Sequence, residues 1–490
     1  MINGLGLPKP QVEFRLCAVT KLPFNAQEMS VSQLLAVIEQ LAAENARLRA
    51  EIEQLKRSSA RSAAPFSKNQ RKKNPKRPGR KAGQGPFRHR AAPPEEQYTQ
   101  PLEEVPVTAT ACPECGGELL EAGTEIVTNT ELPPLPQPEV KAYRVHLRCC
   151  AQCQRKVRGR HAAIAPGQWG ATAHRLGPRA QAAAAGLHYG EGVPQRKVPG
   201  ILKCLTGLSV TQGALTHAAL RLGTKQGPVA QRYEQLRKEI KEQPAIHTDD
   251  TGWRIHGVPA HLMVFESKPQ VVFQIRPQHR NEEVREVIGD HYAGTLCTDR
   301  GKSYDARALE EVAQQKCVPH LQRSINDVLK SKTGRAREFG EILKSQLKDG
   351  GALYQEFHQS TPPPPDYAAR VQALELEVDW HLRPRQLKDA DNQRLLKEIG
   401  RHHARGNVLR FLHEPTTVEP TNNAAERALR PAVIARKVSQ CSKSESGAQA
   451  FAAFKSVIGT LKKSGGEVLE KLTALIAGTL PPSPALENTS

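Results

Sequence analysis

Leu34, Leu41, Leu48 and Leu55 recur every seven residues, and Val31, Ile38, Asn45 and Ile52 recur at the same interval three residues ahead of them. A seven-residue apolar repeat fixes a helix whose seam is narrow and needs another surface to cover it. β-Branched residues at one seam position, Leu at the other and a single seam Asn favour a parallel two-stranded coiled coil in register. Residues 29–58 are therefore predicted to pair two copies of the chain, with an amphipathic helix packed on its own chain as the competing reading. Residues 1–28 show no sustained period and read as a flexible tail, which makes Met29 an alternative start to Met1.

The segment that follows, 59–100, cannot build a core. Positions 57–90 carry twelve Lys and Arg, and no acidic residue lies between Glu53 and Glu95. Lys plus Arg total 70 against 50 Asp plus Glu, a net charge of +20, so positions 57–90 alone carry more than half of the excess. Ser, Pro and Gly separate the charges, which predicts disorder until the segment meets phosphates. Its densest cluster, Arg71, Lys72, Lys73, Lys76, Arg77, Arg80 and Lys81, is the candidate nucleic-acid contact. Such cations give affinity by releasing counterions and carry little sequence information. A solvated spacer is the plainer alternative.

Residues 101–162 hold two Cys-x-x-Cys pairs, Cys112 with Cys115 and Cys150 with Cys153. Two such knuckles have the donor set of a tetrahedral structural Zn²⁺ site, and Gly116 and Gly117 permit a tight turn after the first. Alternating runs at 125–128 and 140–147 read as ribbon strands. Cys149 competes with Cys150, and the spacing favours Cys150. Ten cysteines used in this way suit a reducing compartment better than a disulfide framework. No apolar run approaches the about 20 residues of a membrane span, and the start has no signal-peptide core, so a cytoplasmic, nucleoid-associated protein is expected.

From 163 to 243 the pattern is helical, at 177–187, 198–205, 211–222 and 228–241. The stretch 201–215 has the spacing and central Gly of a helix-turn-helix, with Thr211, Gln212 and His217 facing outward; ordinary helical hairpins share that pattern. The period then changes to that of strands, at 244–248, 260–266, 271–275 and 295–297, with a helix over 281–288. Three strands in a meander, a helix and a further strand make a mixed sheet compatible with a ribonuclease-H-like core. Residues 322–349 and 366–412 read as helices on either side of the break at 362–365. At 421–431, Asn422 or Asn423 is the expected cap of a short helix, and Pro431 its expected stop or kink.

Three acids stand out against this framework. Asp249 and Asp299 are expected at strand ends, and Glu426 inside the 421–431 helix. An Asp at a strand end is often only a turn former. Three carboxylates gathered by a fold hold hard divalent cations such as Mg²⁺ or Mn²⁺, an arrangement suited to phosphoryl transfer. Arg427 and Arg430 flank the Glu and either grip phosphates or pair with acidic neighbours. Cys317 and His320 have metal-ligand spacing but no further visible partners, so a local structural role is favoured.

Asp-x-Thr at 249–251, Thr-Asp at 298–299, Cys-Val-Pro-His-Leu-Gln-Arg at 317–323 and Asn-Asn-Ala-Ala-Glu-Arg-Ala-Leu-Arg-Pro at 422–431 together resemble the DDE transposases of the bacterial insertion-sequence family sixty-six. The resemblance implies Asp249, Asp299 and Glu426 as catalytic, Mg²⁺-binding residues. It also implies an all-α insertion between the second Asp and the Glu, and a zinc module used in recognising element ends. Asp249 is preferred to Asp250 because it matches the Asp-x-Thr pattern and because alternation turns only one of the pair toward a given face.

The expectation is a multidomain α/β protein. Its order is a coiled coil, a basic linker, a zinc ribbon-like module and a helical DNA-binding region, then a ribonuclease-H-like catalytic core (244–320 and 416–466) interrupted by an all-α insertion (321–415), and a C-terminal helix and tail (467–490). Its expected partners are element-end and target DNA, a second copy through the coiled coil, and accessory proteins of the element, with no membrane. A catalytically inactive DNA-binding regulator, or a decayed transposase, is the alternative function.

Overall fold

The computed structural model describes residues 30–61, 93–124, 126–132, 137–161 and 176–479. The chain divides into two compact units, 1–77 and 78–490. No helix among the described residues is long and apolar enough to cross a membrane. The linker cations Arg71, Lys72, Lys73, Lys76, Arg77, Arg80 and Lys81 lie outside the described residues, as do positions 1–28.

In the first unit, α1 (Val31–Arg61) is a single helix through the heptads. Val31, Ile38, Leu41 and Leu48 are all exposed on it, and the Asn45 side chain donates to the Leu41 carbonyl at 3.2 Å. These described seam side chains are thus without cover. The side chains of Leu34, Ile52 and Leu55 lie outside the described residues.

The second unit opens with the two cysteine knuckles. The predicted ribbon strands at 125–128 and 140–147 do not form among the described residues. Instead β1 (Leu147–Cys149) pairs antiparallel with β2 (Lys156–Arg158), a short hairpin that wraps the second knuckle. The apolar side chains of the alternating runs have no layer to pack on, and Val127 and Val140 stay exposed.

The helices α2 (Pro178–Ala185), α3 (Val198–Thr206), α4 (Gln212–Gly223) and α5 (Pro228–Glu239) fall where the apolar periodicity puts them. Gly207, at φ 67°, ends α3, and the Thr211 hydroxyl caps α4 by accepting from Ala214 N at 3.2 Å. Both are local signals that the sequence states outright.

Five strands form the central sheet: β3 (Ala245–Ile255), β4 (Val258–Glu266), β5 (Val271–Arg276), β6 (Thr295–Thr298) and β7 (Gln314–Lys316), in the order β5-β4-β3-β6-β7. β3, β4 and β5 run antiparallel, while β6 and β7 continue parallel to β3. This mixed α/β sheet, with α6 (Asn281–Ile288) between its halves, is compatible with a ribonuclease-H-like core. β3 and β4 are joined by His256 and Gly257, both at positive φ (53° and 81°), the backbone of a two-residue turn that matches strand twist.

Both sheet edges are covered. On the β5 side, α13 (Glu445–Lys463) satisfies the free amides with hydroxyls: Val271 N donates to Thr460 Oγ1 at 3.1 Å, and Phe273 N to Ser456 Oγ at 2.8 Å. On the β7 side, Lys316 N donates to the Asn407 carbonyl at 2.7 Å and the Gln315 amide to the Val408 carbonyl at 2.9 Å. Unpaired edges are sites of uncontrolled strand addition, so this cover keeps the sheet finite.

The residues that supply Asn407 and Val408 belong to a helical insertion of α7 (Val318–Leu329), α8 (Arg335–Gln359), α9 (Tyr367–Leu382), α10 (Ala390–Ala404) and α11 (Arg410–His413). It has its own apolar core, which includes Leu321, Leu343, Val378, Ile399 and Phe411 and reaches the sheet at Ala245 and Cys297. The run predicted over 322–349 breaks before Gly334, which sits at φ 55°. α12 (Asn423–Ser439) then returns to the sheet, followed by α13 and α14 (Val468–Ala477). Pro431 lies inside α12 and does not stop it. A proline there costs roughly 3 kcal/mol. Burial of Ala432 and Ala435 offsets that cost, as does Arg436, whose guanidinium donates to Thr251 Oγ1 at 3.1 Å and to the Gly252 carbonyl.

Candidate active site

The parallel strands β3 and β6 end their pairing at His247 and Cys297. Beyond that point β3 continues with β4 alone, so Asp249, expected at a strand end, is in mid-strand but past the end of β6. Asp299 is the first residue after β6. Both acids thus sit just past the carboxyl end of the parallel β3–β6 pairing, the edge at which open α/β sheets present ligands.

Glu426 arrives on the first turn of α12. Asn422, expected to cap that helix, makes no capping bond. Its Nδ2 donates to the Thr248 carbonyl at 2.8 Å, and its backbone N–H points to Cys317 Sγ at 3.3 Å. Cys317 is buried, and its own N–H donates to the Thr298 carbonyl at 2.8 Å. This one cysteine ties the end of β6, the start of α7 and the start of α12, which is the local structural role its sequence context favours. His320, one turn along α7, has Nε2 3.9 Å from Glu426 Oε1.

Each Asp has one oxygen fixed by backbone: Asp250 N donates to Asp249 Oδ1 at 2.8 Å, and Gly301 N to Asp299 Oδ1 at 2.7 Å. Burial, together with the nearby Asp299, Asp250 and Glu426 carboxylates, pushes the Asp249 carboxyl up to about 7 against the lowering effect of the Asp250 N–H. Among the described residues neither Asp249 nor Asp299 has a Lys or Arg partner. The oxygens of Asp249, Asp299 and Glu426 are near enough to influence one another, but they do not all come within 4.8 Å.

Asp250 has a different setting. Its Oδ2 is 2.8 Å from His261 Nδ1 and its Oδ1 is 3.1 Å from His279 Nδ1. Burial raises this carboxyl, but the two imidazole hydrogen bonds outweigh it and hold the group well below the usual range. Asp250 is therefore part of a hydrogen-bonded network with His261 and His279.

Behind Asp299 lies Lys316, fully buried, with Nζ 2.9 Å from Asp305 Oδ1 and 3.2 Å from Thr298 Oγ1. Burial lowers its pKa, against the pull of Asp305. Asp305 also meets Arg401 at 3.2 Å and His402 at 3.6 Å, both on α10. Sequence reasoning missed this lysine because Gln314, Gln315 and Lys316 make a strand with no apolar residue. It also missed His261 and His279. The first was legible, since a turn at His256 and Gly257 pairs position 250 with 263 and puts His261 on the face of Asp250.

Arg427 and Arg430 are exposed on α12 and have no carboxylate partner among the described residues. Thr211, Gln212 and His217 are exposed on α4 as the pattern predicted.

The knuckles share one local geometry. Cys112 accepts at its carbonyl from Gly116 N (2.8 Å), and Cys150 from Gln154 N (2.9 Å), with Gly116 and Gln154 both at positive φ. Backbone N–H groups of Cys115 and Glu114 lower the pKa of the Cys112 thiol, and those of Cys153 and Gln152 do the same for Cys150. The four sulfurs, however, are not gathered within 4.8 Å of one another.

Residues 173–450, more than half of the chain, match the family model described as Transposase IS66 family. None of the curated proteins matches the chain.

Proposed function

The chain belongs to the transposase IS66 family, and on that footing we propose that it cuts the ends of a bacterial insertion sequence and joins them to target DNA, with Asp249, Asp299 and Glu426 as the catalytic carboxylates. The observation that supports this reading is the acid cluster: three elements distant in sequence meet around Asp249, whose buried carboxyl rises to about 7 and which has no Lys or Arg ion-pair partner among the described residues. That donor set fits the hard cations Mg²⁺ or Mn²⁺. When bound, such ions activate the attacking water or 3′-hydroxyl and stabilise the leaving oxygen.

The chain's own residues do the positioning. The backbone N–H groups of Asp250 and Gly301 hold one oxygen of each Asp and leave the other free. Asn422 fixes α12 to β3 one residue ahead of Asp249, which sets where Glu426 stands. His320 borders Glu426. Arg427 and Arg430, exposed beside the cluster, take DNA phosphates, and the linker cations Arg71, Lys72, Lys73, Lys76, Arg77, Arg80 and Lys81 add sequence-independent affinity. The two knuckles would hold one structural Zn²⁺ jointly through Cys112, Cys115, Cys150 and Cys153. The exposed α1 seam pairs two chains, so that two sites act on two ends.

Asp249→Asn, Asp299→Asn and Glu426→Gln are each expected to abolish cleavage of element-end DNA in Mg²⁺ while binding of that DNA persists. Cutting at the wild-type rate by any one of them removes that residue from the site. If all three cut normally, catalysis lies elsewhere; if the wild type binds but never cuts, the chain is a DNA-binding regulator.

A further inference from the structure

On the other side of β3 from Asp249, three side chains converge that the proposed reaction does not use. Asp250 comes from β3, His261 from β4, and His279 from the loop after β5. One carboxylate oxygen or Nδ1 from each lies within 4.8 Å of the others, and among the described residues no other group of three or more His, Cys, Asp or Glu side chains is so placed. All three are only partly buried.

The separations suit a shared ion. Metal bonds from His nitrogen and carboxylate oxygen are about 2.0–2.2 Å, so neighbouring ligands on one ion stand about 3.0–3.4 Å apart. The observed N–O distances, 2.8 Å to one carboxylate oxygen of Asp250 and 3.1 Å to the other, lie close to that spacing. The arrangement beyond the ligands is also that of a metal site. Ligating imidazoles use the second ring nitrogen for a hydrogen bond that sets ring orientation. His279 Nε2 is 3.4 Å from Ser303 Oγ, and the ring packs edge-on against Tyr304 with centroids 5.4 Å apart.

We propose that Asp250, His261 and His279 form a binding site for a first-row transition-metal dication of the Zn²⁺ type, separate from the ions of the Asp249 cluster. Two imidazoles and one carboxylate select such borderline cations and discriminate against Mg²⁺, which prefers oxygen alone. The ion fastens β3 and β4 to the loop after β5. Through Ser303 it also steadies the short turn Lys302–Asp305, which follows Asp299. Its occupancy is independent of any reading of the DNA chemistry.

The test is a count of tightly bound zinc. Full-length protein is stripped with a chelator, reloaded with Zn²⁺ in excess Mg²⁺, desalted and measured by native mass spectrometry, alongside His261→Gln and His279→Gln, with folding checked by circular dichroism. Each variant is expected to hold one Zn²⁺ fewer per chain than the wild type, whatever the cysteines hold. An unchanged count in a folded variant overturns the site and leaves a hydrogen-bonded Asp–His–His group. Should neither variant fold, zinc-edge X-ray absorption of the wild type decides. Imidazole scattering from an N/O-ligated zinc supports the site; a shell of sulfur alone overturns it.

Discussion

Asp249 shows what one buried acid does to the whole chain. Unfolded, its carboxyl titrates near the ordinary value of about 4; folded, burial and its acidic neighbours push it to about 7. Between those values the folded protein keeps a proton that the unfolded chain has lost, so stability falls as pH rises through that window, and the full cost is present above it. The scale is on the order of 1 kcal/mol per pH unit. In metal-free protein, Asp249→Asn is therefore expected to melt at higher temperature than wild type at pH 8 and at nearly the same temperature at pH 4. A variant that melts lower at pH 8 would contradict the electrostatic account. The same residue shows where sequence reading stops. Its type and its Thr251 neighbour are legible, but the reason its carboxyl titrates high, burial beside other carboxylates, exists only once β3, β6 and α12 are assembled.

At the scale of elements, α13 is bound to the sheet more closely than its composition suggests. Ser456 and Thr460 serve the β5 amides, and Gly459 lies between them in sequence. A Cβ at Gly459 would stand 2.6 Å from Val271 Cγ1, closer than packed carbons allow. Gly459→Ala should therefore cost on the order of 1–3 kcal/mol, as overpacked sites do, visible as a lower denaturant midpoint with an unchanged slope. Wild-type stability would mean that α13 shifts freely. The helices around the sheet were readable because their periods, caps and prolines agree, as at Thr211 and Gly207. Two kinds of element were not. Pro431 reads as a stop because local cost is visible and the burial that offsets it is not. β7 was invisible because its polar residues find their partners in an insertion about 90 residues away.

For the molecule as a whole, the proposed pairing of two chains rests on the α1 seam. Replacing Leu41 and Leu48 with polar residues is expected to give a species of lower mass in sedimentation and to abolish pairing of element ends before it abolishes simple DNA binding. A doubly substituted protein that sediments like wild type would place the interface elsewhere. The α1 helix was legible because its apolar repeat is a purely local pattern, whereas the core that the insertion shares with Ala245 and Cys297 joins residues that no local pattern relates.

The cover on β7 bears on how far this protein could be trimmed. Lys316 and Gln315 bond to Asn407 and Val408, and the charge on Lys316 is met by Asp305, itself held by Arg401 and His402. The helical insertion therefore supplies the outermost rung of the ladder and part of the electrostatic setting beneath Asp299. A miniature built by excising 321–415 and joining the cut ends would keep every acid of the cluster, yet bare a sheet margin and loosen an interior lysine. Compactness in this architecture is gained through the insertion, so a genome that shortened the gene there would lose the scaffold along with the spacer.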